Sequence, residues 1–88
     1  MTKRCRELLE KARGKPSGLR FAELCRLCEC ARMVCVRSRG SHRIYRRERA
    51  PIFSLSVQEG KHGEAKPYQV RELLELIDLH GLESEETL

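Results

Sequence analysis

No apolar run in this 88-residue chain comes near the roughly 18 residues needed to cross a bilayer, which excludes a membrane-spanning helix. The first residues, Met1 to Leu9, are basic but have neither a sustained apolar stretch nor a small-residue cleavage site. That argues against a secretory signal and for a cytoplasmic protein. The length leaves room for one domain with a small core, so large multi-lobed enzymes are excluded. Also missing are a Ser/His/Asp nucleophile set, a Gly-rich phosphate loop and paired carboxylates.

Acidic residues are scarce where basic ones are dense. From Arg32 to Arg49 there are seven arginines (Arg32, Arg37, Arg39, Arg43, Arg46, Arg47, Arg49) and one acid, Glu48, a local balance of +6 against +5 for the whole chain. From Gln69 to Leu88 the balance reverses, with six acids against Arg71 alone. The bias toward arginine matters because a planar guanidinium binds phosphate through two parallel hydrogen bonds and stacks on bases, which an ammonium cannot do. The pattern points to nucleic acid, with an ordinary solvated strand surface as the plainer reading.

Cys5, Leu8, Leu9 and Ala12 form one helical stripe, with Thr2 as N-cap and Gly14 as stop, predicting a helix over about 3–13. Lys15 to Gly18 is a linker. Phe21, Leu24, Cys25 and Cys28 repeat the stripe over about 20–32. Met33 to Val36 then reads as a strand entering a tight hairpin at Gly40, followed by two alternating strands around 42–47 and 52–57. Pro51 falls at a strand start, where a missing donor is tolerated. Pro67 opens a last helix with the stripe Val70, Leu73, Leu74, Ile77, ended by Gly81. The expected fold is an α+β two-layer sandwich. A three-stranded antiparallel sheet has two helices on one face, in the order α-β-β-β-α, with an extra N-terminal helix. The expected division is an N-terminal helix and linker over 1–18, a main domain over 19–82, and an acidic frayed tail over 83–88.

Five cysteines, an odd number, fit reduced thiols better than a disulfide framework. Cys25-x-x-Cys28-x-Cys30 invites a zinc hypothesis. On a helix, however, Cys30 lies about 200° round from Cys28, so three thiolates cannot converge on one tetrahedral ion. No metal or cofactor is expected, and Cys25, Cys28 and Cys35 read as small buried hydrophobes. Of three histidines, His80 reads as a helix C-terminal cation and His62 as a loop residue. His42 differs: Gly40-Ser41-His42 places it at a hairpin mouth between Arg39 and Arg43, where an imidazole can exchange protons beside a bound phosphate.

Gly40-Ser41-His42-Arg43-Ile44-Tyr45-Arg46, preceded by a helix and an apolar strand and followed by a strand and a Lys-Pro-initiated helix, resembles the HicA (YcfA-like) family of mRNA interferase toxins. These belong to type II toxin–antitoxin systems. The resemblance covers about 19–82, including Leu19 to Leu24 and Ala65 to Val70. It implies a fold like the double-stranded RNA-binding domain and metal-independent cleavage of mRNA that inhibits translation and growth. It further implies neutralisation by a HicB-type antitoxin and a catalytic role for His42, presented by the turn at Gly40 and Ser41. Many relatives carry a second histidine just after the third strand, where this chain has Gln58.

The expected chemistry is attack of a ribose 2′-OH on the adjacent phosphorus, with His42 taking its proton and arginines stabilising the pentavalent anion. Arg39 and Arg43 are the expected phosphate contacts, Arg37, Arg46 and Arg47 a wider track, and Tyr45 a base-stacking candidate. Strand alternation sends Arg43 and Arg47 to one face and Arg46 to the other, so not all can touch one ligand. Two alternatives stay open: an RNA-binding module of the same fold without catalysis, and a protein-interaction domain whose basic face meets an acidic partner.

Overall fold

The structure, a computed structural model, describes residues 1–85. Three helices, α1 (Lys3–Gly14), α2 (Phe21–Cys30) and α3 (Pro67–Leu79), accompany three strands, β1 (Met33–Arg39), β2 (His42–Arg47) and β3 (Phe53–Gln58). The strands form one antiparallel sheet in the order β1-β2-β3. Single 3-10 turns lie at Pro16–Gly18, Lys61–Gly63 and Leu82–Ser84. The class is α+β, with the helix and strand order expected from periodicity. No described helix is long and apolar enough to cross a membrane.

The helix ends follow local chemistry. Thr2 Oγ1 accepts from the Cys5 N–H at 3.1 Å, closing the first turn of α1. At α2, the Glu23 carboxylate reaches back to accept the Arg20 N–H at 2.9 Å. It also pairs with Lys11 Nζ at 2.6 Å, joining α1 to α2, and the Arg20 bond and then Lys11 hold its carboxyl below the usual range. Pro67 occupies the first turn of α3, and Gly81 ends it at φ +61°. The stripes bury Leu8, Leu9 and Ala12 of α1, Leu24, Leu27 and Cys28 of α2, and Val70, Leu73 and Ile77 of α3 in one cluster. Thus α1, the extra N-terminal helix, packs into the common core.

Met33, Tyr45, Leu55 and Val57 form the sheet's side of that core. Among the described residues, no helix covers the opposite face, where Val34, Arg46, Ser54 and Ser56 are exposed. Strand alternation therefore assigns each residue to a covered or an open side, with one exception. Cys35 pairs with Tyr45 and Arg37 with Ile44, so Val36 is an extra residue, a β-bulge. Before the bulge, Met33 and Cys35 share the helix-side register; after it, Arg37 and Arg39 align with Ile44 and His42 on the open side.

Arg47, expected in a phosphate-binding track, is fully buried. Its Nε donates to the Pro51 carbonyl at 3.0 Å, Nη1 to the Ala31 carbonyl at 2.9 Å, and Nη2 to the Ala50 carbonyl at 3.2 Å. The same guanidinium holds both carboxylate oxygens of Glu85. A buried charge persists only when its donors are satisfied, and those of Arg47 are spent on the end of α2, the β2–β3 turn and the C-terminal segment. Residues 83–85, expected to fray, are accordingly held. Residues 86–88, the rest of that expected tail, lie outside the described residues.

The thiol reading also needs correction. Cys5 and Cys30 form a disulfide across a sequence separation of 25, joining α1 to the end of α2. Cys25 and Cys28 are buried free thiols, but Cys35 is exposed rather than in the core. Burial pushes the Cys28 thiol up. His80, read as a terminal cation, stacks its ring on Phe53 with centroids 5.5 Å apart.

Two stability predictions follow from these links. Arg47 holds the Glu85 carboxyl below its usual value, so the pair's contribution is fully present above the unfolded value of about 4.3 and is lost as pH falls through the lowered one. Glu85→Gln should cost about 1–3 kcal/mol at pH 7 by chemical denaturation, with the gap to wild type closing on acidification. A gap that does not change with pH would contradict this. For the disulfide, a reductant should lower wild-type stability by about 3 kcal/mol and leave Cys5→Ser unchanged.

Candidate functional site

The site is built on the open face of the sheet. The β1–β2 hairpin turns in two residues, Gly40 and Ser41, and Gly40 adopts φ +58° with nothing within 4 Å of a Cβ built there. What the position requires is left-handed backbone, not space. The Ser41 carbonyl accepts the Glu59 N–H at 3.1 Å, tying the turn to the strand end beside it. His42 is thus the first residue of β2, exposed, with Arg39 as its partner on β1 and Gln58 as its partner on β3.

Around it, the open side carries Val34, Arg37 and Arg39 from β1, Ile44 and Arg46 from β2, and Ser54, Ser56 and Gln58 from β3. Among these strand positions there is no acid. Arg37, Arg39, His42 and Ile44 line a recess of about 310 Å³. Its walls are mostly apolar, made of Ile44 and the side-chain stems around it. His42 and two arginines therefore line the same solvent-open hollow.

Gln58 is fixed from both ends. Its N–H donates to Gln69 Oε1 at 3.0 Å, and its Oε1 accepts from Lys66 Nζ at 2.9 Å. Gln69 is buried, and its Nε2 donates to Tyr68 Oη at 3.1 Å. The start of α3 thus holds an amide opposite His42 and brings a lysine to the same corner. Lys66 was missed in the sequence, where only its place before Pro67 marked it.

Three expected contacts are not on this face. Arg43 points to the helix side, its guanidinium 5.4 Å from the Phe21 ring centroid and Nη1 donating to Cys25 Sγ at 3.6 Å. It therefore cannot join Arg39 on a phosphate beside His42. Tyr45 is buried in the core, and burial above all pushes its hydroxyl up to about 12, so it stacks no base. Arg47 is the buried strut described above. Gly40, Ser41, His42, Arg37, Arg39 and Arg46 stay together, while Tyr45 and Arg47 are buried and Arg43, half-buried, lies on the helix side.

On the helix side, Arg20, Phe21, Ala22, Arg43, Glu59 and Gly63 line a second cleft of about 300 Å³. Gly63 stands there at φ +75°, in the left-handed region that favours glycine. Among the described residues, no group of three or more His, Cys, Asp or Glu side chains has the arrangement to hold a metal ion. The chain matches no protein-family model, no curated protein and no solved structure.

The division of arginines between the two faces can be read chemically. Phenylglyoxal should modify Arg37, Arg39 and Arg46 of the folded protein readily, as mapped by mass spectrometry. Arg47 should react about 100-fold or more slowly, since it must wait for an opening event. Comparable rates at Arg47 and Arg46 would mean that Arg47 is not buried in solution.

Proposed function

We propose that this protein is an endoribonuclease of the mRNA interferase kind, with His42 as its general acid–base residue. The observation that carries the reading is the shared, uncovered placement of His42 with Arg37 and Arg39 on neighbouring strands. The resemblance to HicA toxins at Gly40 to Arg46 supports it from the sequence side. So does the α-β-β-β-α order, which is that of a double-stranded RNA-binding domain.

In the proposed step, neutral His42 takes the proton of a ribose 2′-OH. The 2′ oxygen forms a bond to the adjacent phosphorus and the bond to the 5′ oxygen breaks. The imidazolium returns its proton to that leaving oxygen. The products are a 2′,3′-cyclic phosphate and a 5′-hydroxyl, with no net proton change. Arg39 and Arg37 supply positive charge where the pentavalent phosphorane gathers negative charge. The nucleophile is internal to RNA, so the reaction calls on no metal to generate one. DNA, without the 2′-OH, would bind through its phosphates uncut. A HicB-type antitoxin covering this basic face would silence it, and growth would be inhibited in its absence.

A second reading, an RNA-binding module without cleavage, is favoured by one observation: the partner of His42 across β3 is Gln58, an amide that cannot shuttle a proton. The experiment that separates them is incubation of purified protein with unpaired RNA in EDTA. Wild type should leave 2′,3′-cyclic phosphate ends, and His42→Ala should lower the rate by about 10²–10⁴-fold with its affinity kept. Cleavage unchanged in His42→Ala, or absent from wild type, would sink the nuclease reading.

A further inference from the structure

We propose that the recess formed by Arg37, Arg39, His42 and Ile44 is a base subsite, taking one unstacked nucleobase of an unpaired RNA strand against Ile44. This rests on the reading of the open face as the RNA-binding face and says how a strand engages it.

Volume, wall chemistry and charge all point to this occupant. The recess of about 310 Å³ is at the small end of ligand pockets, so it suits one planar ring system and not an extended ligand. Its mostly apolar wall is wrong for a phosphate, which would sit at the guanidinium tips, but right for the face of a base. The groups around it, two arginines and a histidine, are types on which splayed bases of single-stranded RNA stack. Arg46 continues the positive charge along the same face, and no acid interrupts it at the strand positions.

A base still paired in a duplex is stacked on both sides and cannot enter a recess without an unstacking cost of a few kcal/mol. The proposed cleavage imposes the same condition, because in-line attack by the 2′ oxygen needs a backbone turned out of regular helical geometry. A base seated in the recess puts its own ribose beside His42.

The test uses a 2′-O-methyl oligonucleotide, which cannot be cleaved, with 2-aminopurine at one position. It is offered alone or annealed to its complement, with affinity read by anisotropy and unstacking by the rise in 2-aminopurine emission. The unpaired strand should bind at least about ten-fold more tightly than the duplex, with emission at saturation raised above that of the free strand. Ile44→Ala should weaken both signals several-fold. Arg46→Ala, outside the recess, should lower affinity while leaving the rise at saturation intact. Because Ile44 lies in the central strand, Ile44→Val serves as a second variant that keeps the fold and should keep the rise. Equal or tighter duplex binding, or emission at saturation no higher than that of the free strand, would overturn the subsite while leaving the nuclease reading to its own cleavage assay. Absence of binding to either form would overturn both.

Discussion

A three-stranded sheet covered on one side only obliges every strand residue to be either core or surface, and a single extra residue decides which arginines are which. Val36 bulges out of the β1–β2 ladder, so the run from Met33 changes faces between Cys35 and Arg37. Strict alternation would put Cys35, Arg37 and Arg39 on one side, away from Ile44 and His42. The bulge moves the two arginines to the other side and lines them up with Ile44 and His42. The basic hollow is thus a result of one register shift.

The same side-chain chemistry serves opposite ends in neighbouring positions of β2. Arg46 projects into solvent. Arg47, one residue on, is buried, donating to three backbone carbonyls and the Glu85 carboxylate. Arg43 is intermediate, lying over Phe21 beside the Cys25 sulfur. Guanidinium density in a sequence therefore measures potential for phosphate contact and for structural cross-linking together. Only the pleat separates the two.

Much of this was legible in the residues. Apolar stripes at helical spacing marked all three helices, Thr2, Pro67 and Gly81 marked their ends, and Gly40 marked the hairpin. Alternation correctly set Arg43 and Arg47 against Arg46, yet it could not say which side the helices would cover, so Arg47 was expected in the ligand track though it is buried, and Arg43 beside Arg39 though it lies on the helix side. The bulge left no trace, since Val36 is an ordinary β-branched strand residue. Arg32 closes α2 at φ +61°, a backbone region where glycine is the usual signal. The Cys5–Cys30 bond joins two helices that only tertiary packing brings together, so odd-number arithmetic on the cysteines pointed away from it.

Charge is the last link between fold and site. Net charge described the chain as mildly basic, but the structure distributes its acids with a consequence. Glu85 neutralises Arg47 and pairs with Arg32, Asp78 and Glu83 meet Arg13, and Glu23 meets Lys11. These pairs lie at helix contacts and around the C-terminal segment, where they neutralise cations that hold elements together. Among the described residues, no ion pair involves Arg37, Arg39 or Arg46 on the open face. Acids spent inside the scaffold leave these three as a positive field over an uncovered surface, next to a mostly apolar recess. An anion approaching the strand side therefore meets positive charge on both β1 and β2 beside His42.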